Sequence, residues 1–393
     1  MRTELFHDRR LVAAITGISG AAALLMLAVC GLTAQGFVFA NGGVLGGDHV
    51  AFWTAGRAAL TDTWASIYEP AAFEAAMSEA GIAKDRLGLT WQYPPHAAAL
   101  LAPFGLLPFA ASWLVWTAAS LTLFAVALRR GAGVRPGDIA LVLLSPALVQ
   151  VVITGQTGAF AGAALIGALL LPARRPVLAG VCAGLLTVKP QFGLLIPFAF
   201  LAGGYYRSAF VAASTAGALG IAATLIVGAE AWGVWWTALT GVAEGVGEGA
   251  YPLFKMVTVF AALRSAGVPE ALAFGLQAAA FLLAAALTVR LWRSAAPPEA
   301  RAAVTACLVF LTTPYAYYYD TAVLALPVLF VIGRLDTPAF GRRALLALCA
   351  FVPMAITSMG PLGAHLGLAG VLVLTILTLR AAAPQTRLSL APA

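Results

Sequence analysis

Phe109-Ala110-Ala111-Ser112-Trp113-Leu114-Val115-Trp116-Thr117-Ala118-Ala119-Ser120-Leu121-Thr122-Leu123-Phe124-Ala125-Val126-Ala127-Leu128 runs without a charged side chain, and Arg129-Arg130 follow at once. About 20 apolar residues at a helical rise of about 1.5 Å match the hydrocarbon layer of a bilayer. Inside that layer water cannot satisfy backbone groups, so such a run has to be a helix. Working outward, similar apolar runs recur at 11–32, 137–153, 158–171, 176–188, 191–204, 208–228, 269–291, 302–314, 320–333, 343–358 and 361–380. Several are shorter than the roughly 20 residues of a straight span and are expected as broken, paired or half-buried helices. Pro94 to Pro108 is apolar, short and flanked by prolines, which suits a re-entrant or interfacial helix leading into 109–128. The expected fold is all-α: a polytopic integral membrane protein of about a dozen transmembrane helices.

Composition agrees. The chain is 61% hydrophobic and 10% charged, with a mean hydropathy of +0.92; a soluble domain carries about 25% charge. The whole chain, 1–393, reads as one membrane domain with two larger polar loops, 33–93 and 229–268. The run after Arg9-Arg10 extends from Leu11 to about Leu32, long for a signal peptide, so an uncleaved first span is expected.

Charge placement orients the spans. With the N-terminus cytoplasmic, alternating spans put seventeen of the 23 Lys and Arg inside, while most of the acidic residues fall outside. An error of one span would scramble that asymmetry. Both termini are therefore expected in the cytoplasm, in the plasma (inner) membrane of a bacterium. The net charge of +7 follows this membrane pattern and calls for no nucleic acid. Cys30, Cys182, Cys307 and Cys349 all lie in apolar segments without metal-ligand spacing. There is no P-loop, dinucleotide fingerprint, HExxH or CxxC. No cofactor and no metal site is expected.

The polar chemistry collects on the outer side. Gly46-Gly47-Asp48-His49-Val50-Ala51-Phe52-Trp53-Thr54-Ala55-Gly56-Arg57 packs a carboxylate, an imidazole, an indole and a guanidinium into one short stretch. The glycines free the backbone before Asp48, and Asp48 is placed to cap a following helix. His49, Trp53 and Arg57 then recur at helical spacing. Capping alone would account for Asp48; a ligand-binding or catalytic carboxylate is the sharper possibility. Farther on, Ile67-Tyr68-Glu69-Pro70 leads into a weakly amphipathic helix, 71–82, expected to lay Ile67, Ala71, Met77 and Ile82 on the membrane with Glu74 and Glu79 towards water. Tyr93-Pro94-Pro95-His96 marks re-entry into the bilayer, where an interfacial aromatic belt also explains the Trp and Tyr residues. Gly155-Gln156-Thr157-Gly158 reads as a tight turn presenting Gln156 outward.

Lys189 is the lone Lys or Arg between Arg175 and Arg207, and Pro190 breaks the helix beside it. An ionisable residue so placed is costly and marks function, with an anion, here a phosphate, as its expected partner; snorkelling to the surface is the alternative. Gln191 follows on the same turn. Pro314 through Asp320 sets four tyrosines before a carboxylate, and Tyr317 and Asp320 are candidates for a sugar or headgroup site. Loop 229–268, with Trp232, Trp235, Trp236, Glu244, Glu248, Tyr251 and Lys255, is expected either to cover that site or to bind an acceptor.

Several of these motifs stand together in one known order. Gly47-Asp48, Phe52 through Leu60, Ile67-Tyr68-Glu69-Pro70, Tyr93-Pro94-Pro95, Gly155 through Gly158, Leu186 through Gln191, and Pro314-Tyr315 through Asp320 resemble glycosyltransferase family 87 over roughly 40–330. Each motif is weak alone, and the ordered set is more specific. The resemblance implies a C-type membrane glycosyltransferase bundle, a sugar donor carried on a polyprenyl phosphate, and an outer-loop Asp, here Asp48, as general base. Family members often carry a His where this chain has Tyr317–Asp320, a departure that bears on donor and acceptor identity.

The chemistry fits that implication. A sugar on a polyprenyl phosphate is already activated. Inverting transfer then needs a base for the acceptor hydroxyl and a cation for the departing phosphate. Asp48 supplies the base, and Lys189 with Arg57 the charge; His49, Trp53, Tyr93, His96, Gln156, Gln191, Tyr317 and Asp320 complete the expected substrate surface. The resemblance implies as partners a lipid-linked sugar (a mannosyl donor in this family), a glycan or glycolipid acceptor outside the cell, and the bilayer. The rival class is a transporter or flippase, which requires polar groups through the membrane and inverted repeats; here polar groups lie at one face only.

Overall fold

The computed structural model describes residues 45–61, 64–79, 89–248, 251–334 and 362–383. The candidate spans 11–32 and 343–358 lie outside the described residues. Within them the chain is helical, with one isolated bridge, Met256 to Tyr317, in place of any strand. The helices are α1 (Gly47–Ala58), α2 (Pro70–Glu79), α3 (Pro95–Gly105), α4 (Phe109–Val126), α5 (Pro136–Leu143), α6 (Pro146–Thr154), α7 (Gly158–Leu170), α8 (Pro176–Leu185) and α9 (Ile196–Ala202). They continue as α10 (Tyr206–Val227), α11 (Glu230–Glu248), α12 (Val259–Ser265), α13 (Glu270–Arg293), α14 (Pro298–Leu308), α15 (Ala325–Arg334) and α16 (Leu362–Ala382).

Among the described residues, four helical stretches are long and apolar enough to cross a membrane: Phe109–Gly131, Tyr206–Val227, Glu270–Arg293 and Leu362–Ala382. Their outward faces are bare hydrocarbon: Leu225 is 81% exposed, Phe210 73% and Leu282 66%. No folded protein leaves such a surface to water at this density, so lipid is its solvent, and this is a membrane protein. The remaining expected spans are shorter or broken. Ser145-Pro146 divides 137–153 into α5 and α6, since Pro146 lacks the donor an unbroken helix needs. The stretch 176–204 is divided at Lys189, whose φ of −131° and ψ of 70° separate two 3-10 turns, Leu186–Val188 and Pro190–Phe192. The stretch 320–333 begins as a 3-10 helix, Tyr318–Leu324, before α15.

Two close helix contacts fix the scaffold. Gly180 and Gly184 on α8 meet α10 so closely that a methyl group at Gly180 would sit 2.7 Å from the Ser208 carbonyl oxygen, and one at Gly184 would sit 2.8 Å from that of Ala212. This small-xxx-small spacing lets membrane helices approach backbone to backbone. It also anchors the helix that ends at Lys189. Elsewhere, Gly56 of α1 and Gly105 of α3 touch, and a side chain on Gly56 would collide with the Leu101 carbonyl oxygen.

Around α1 a compact aromatic cluster forms: Phe52 stacks on Trp116 at 5.5 Å and meets Tyr93 edge-on at 5.4 Å. Ile67, Phe73 and Met77 are buried in the same cluster. Ile67 and Met77 are thus held by protein, not laid on the membrane; Phe52, Trp53 and Trp91 offer a larger apolar surface than one short amphipathic face could find in lipid. Ile82 lies outside the described residues.

Candidate active site

The site is assembled by four turns that arrive from distant parts of the chain. The first is the start of α1. Gly46, in the left-handed region at φ 68°, is its N-cap, and Asp48 sits inside the first helical turn. This corrects the expectation that Asp48 itself caps the helix: the glycine makes the turn, which releases the carboxylate to point elsewhere. The second is Gly155, also left-handed at φ 73°, which ends α6 and reverses the chain into α7. The third is the break at Lys189. The fourth is the tyrosine-rich turn before α15.

Hydrogen bonds join these turns in series. Gln156 Nε2 donates to Asp48 Oδ2 at 2.9 Å, while Gln156 Oε1 accepts from the Thr157 backbone N–H at 3.1 Å. Both ends of the amide are therefore assigned by their partners. Lys189 Nζ donates to Thr157 Oγ1 at 3.3 Å and forms an ion pair with Asp320. The second Asp320 oxygen accepts from the Tyr317 N–H at 3.1 Å. Lys189 is 5% exposed and Asp320 3%. The pair is confined further by the Tyr319 ring, 5.1 Å from the ammonium, and by Phe192 at 5.4 Å. Tyr317 and Tyr319 stack at 5.4 Å. Tyr93 hydrogen-bonds Thr157 and lies within electrostatic reach of Asp48, Lys189 and Asp320. Its backbone carbonyl accepts from the Tyr68 hydroxyl at 2.9 Å.

Burial holds the Asp48 carboxyl above its ordinary value of 3.8; the Gln156 hydrogen bond and the charges of Lys255 and Lys189 pull in the other direction without cancelling it. A carboxylate with raised proton affinity, beside a donor and cations that favour its charged form, is suited to accept a proton from a hydroxyl.

The structure brings together Asp48, Tyr93, Gln156, Lys189, Tyr317 and Asp320. It does not bring His49, Trp53 or Arg57 to them. His49 is wholly buried, with Nε2 hydrogen-bonded to Ser112 Oγ at 2.9 Å and its ring beside Phe109 and Trp116. Burial lowers its pKa to about 3, so it is neutral. Trp53 donates to the Leu107 carbonyl oxygen at 2.8 Å. Arg57 is exposed and lies over the Trp53 ring at 4.8 Å. Nine residues separate it from Asp48, which is half a turn around the helix and about 13 Å along it. His96 is buried and stacks on Trp232 at 6.0 Å. Gln191 is half-buried on the turn after Lys189 and has no hydrogen bond to the cluster among the described residues.

Thr157, from the 155–158 turn, and Tyr251 and Lys255, from the loop 229–268, also belong to the site, although the sequence motifs assign none of the three an individual role. Tyr251 accepts a hydrogen bond from Gln92 Nε2 at 3.0 Å and meets Tyr315 edge-on at 5.8 Å. One signal was available for Lys255: it is the lone Lys or Arg between Arg207 and Arg264, as Lys189 is between Arg175 and Arg207. Among the described residues no three His, Cys, Asp or Glu side chains converge as a metal site. An open groove of about 590 Å³ between α9 and α13, lined by Phe198, Arg290 and Arg293, contains none of the site residues.

Comparison with curated proteins gave no match, and neither did comparison with solved structures. The family model for glycosyltransferase family 87 matches residues 91–314. That span carries Tyr93, Gln156, Thr157, Lys189, Tyr251 and Lys255; Tyr317 and Asp320 follow shortly after its end, and Asp48 lies well before its start. It covers more than half of the 393 residues, and the chain belongs to glycosyltransferase family 87.

Proposed function

We propose that this glycosyltransferase moves a hexose, mannose being the first to test, from a polyprenyl monophosphate to a glycan or glycolipid acceptor on the extracytoplasmic side, with inversion at the anomeric carbon. The observation that carries the reading is the Asp48 carboxylate, partly buried, oriented by Gln156 and coupled to two lysines. That arrangement supports the two demands of the reaction. Asp48 takes the proton from the acceptor hydroxyl. The acceptor oxygen then bonds to the anomeric carbon as the bond from that carbon to the phosphate oxygen breaks. The electron pair leaves with the polyprenyl phosphate, whose added negative charge a lysine of the cluster neutralises. The stacked tyrosines offer flat, hydroxyl-bearing walls of the kind that hold a sugar ring. Charge asymmetry along the sequence supports an outer location for this cluster and cytoplasmic termini.

The test is transfer from radiolabelled polyprenyl-phosphate sugars by membranes containing the wild-type chain or Asp48→Asn. The variant should be made at normal levels and lose transfer by about 10²–10⁴-fold, the range of a removed general base. Near-normal transfer by Asp48→Asn would sink the assignment of the base.

A further inference from the structure

Two lysines are coupled to Asp48, and they stand in opposite situations. Lys189 is at the floor of the cluster. Its ammonium is committed to Asp320 and Thr157 and is covered by the Tyr319 and Phe192 rings. Asp320 already neutralises its charge, so a phosphate at Lys189 would bring a second anion to a buried, compensated pair, and drawing the ammonium away would strand a buried carboxylate.

Lys255 is half-exposed, lies over the neighbouring Phe254 ring at 5.8 Å, and has no ion pair among the described residues. Its backbone is nevertheless fixed. It ends a 3-10 turn, Leu253–Lys255, and the residues after it are fastened to the tyrosine turn. Val257 N–H donates to the Ala316 carbonyl oxygen at 2.8 Å, Met256 bridges Tyr317, and Thr258 Oγ1 donates to the Pro314 carbonyl oxygen at 3.2 Å. On the other side, Tyr251 is tied to Gln92, the neighbour of Tyr93. A long cationic side chain is thus mounted on a fixed turn between two lips of the site, Trp91–Tyr93 and Tyr315–Asp320, with no ion pair among the described residues.

We propose that Lys255, not Lys189, takes the phosphate of the lipid donor, and that Lys189 and Asp320 form a positioning pair which holds Thr157, and through it Gln156 and Asp48, in place. This rests on the donor reading above. When the bond to the anomeric carbon breaks, the electron pair moves onto the phosphate oxygen beside the Lys255 ammonium, so the stabilisation grows as the reaction proceeds. A half-exposed ammonium also suits a headgroup that remains attached to a chain lying in the membrane.

The experiment measures binding of farnesyl monophosphate and of farnesol to the purified full chain in detergent, followed by tryptophan fluorescence. Wild type should prefer the phosphate. Lys255→Gln should lose about ten- to hundredfold of that preference, the worth of one charge-assisted contact, while Lys255→Arg should restore most of it. The double variant Lys189→Met with Asp320→Leu should keep the preference for phosphate and lose turnover with a polyprenyl-phosphate sugar. If Lys255→Gln keeps the full preference and Lys189→Met with Asp320→Leu abolishes it, the assignment is overturned. If wild type itself binds both lipids equally, the phosphate-donor reading falls, and the role of Lys255 with it.

Discussion

The two flanks of helix α1 begin one residue apart and end in different worlds. Asp48 reaches across to Gln156, a turn 108 residues later, and joins a network of charges and tyrosines. His49, Trp53 and Arg57 lie on the flank that docks against α3 and α4, each with a local partner: Ser112, the Leu107 carbonyl and the Trp53 ring. The difference teaches that helical spacing tells which residues share a face and says nothing of what that face meets. Adjacent positions on a helix are about 100° apart. One can open onto chemistry while the next is locked into packing.

The sharpest way to break this comparison is to disable one residue from each flank and assay both variants for transfer. Asp48→Asn should cost about 10²–10⁴-fold in transfer with little change in thermal stability. Arg57→Ala should leave transfer within about threefold, because a lone exposed cation stacked on an indole contributes about 0.5–1 kcal/mol. Equal losses in the two variants would show that the docking flank takes part in the reaction.

A second variant puts strain on the docking flank alone. Gly56→Ala inserts a methyl group against the Leu101 carbonyl oxygen, backbone against backbone, where no side chain can swing away. Overpacking of this kind costs about 1–3 kcal/mol. The melting temperature in detergent should fall, and transfer should fall with it because Asp48 rides on the displaced helix. Gly158→Ala makes the matching collision on the site flank, against the Tyr319 carbonyl oxygen. It should depress transfer more than it depresses the melting temperature. The reverse ranking would mean that the tyrosine turn is pliable.

How far the fold and the site were legible follows the same division. The long apolar runs at 109–128, 208–228, 269–291 and 361–380 were legible because twenty residues in lipid leave the backbone one solution. The breaks were legible too: Pro190 beside Lys189 and the glycines at 155 and 158 act locally, through backbone geometry that neighbours do not override. Ordered motifs singled out Asp48, Gln156 and Lys189, which hydrogen bonds join in one cluster. What spacing could not show was the pairing of Lys189 with Asp320, separated by 131 residues, or the approach of Tyr251 to Gln92, separated by 159. Such contacts depend on how α8, α10 and α11 pack. The same limit explains Ile67 and Met77, whose amphipathic spacing suits a membrane surface as well as it suits the aromatic cluster that holds them.

A smaller effect sharpens the chemical side of the comparison. Burial raises the proton affinity of Asp48, and Gln156 opposes that rise. The acidic limb of kcat/KM should therefore lie above the ordinary carboxylate value of 3.8, since the free enzyme must lose this proton before it can act as a base. Gln156→Leu removes the donor that favours the charged form, so the limb should move further up in pH. A limb that stays in place would mean that a different group sets it.

The smallest effect belongs to His49, and it reads on stability, not transfer. Its folded pKa of about 3 lies below the ordinary 6.5, because the buried ring has no room for charge. The unfolded chain therefore takes up this proton first on acidification. The stability that neutral His49 contributes is complete above about pH 6.5 and drains away as pH falls from 6.5 towards 3, by at most about 1.4 kcal/mol per pH unit. His49→Gln keeps a polar group within reach of Ser112 and cannot titrate. The melting temperature of the wild type relative to this variant, measured in detergent at pH 7.5, 6 and 5, should decline step by step. A constant difference across that range would show that the ring accepts a proton where it stands, and the docking flank would then hold charge as the site flank does.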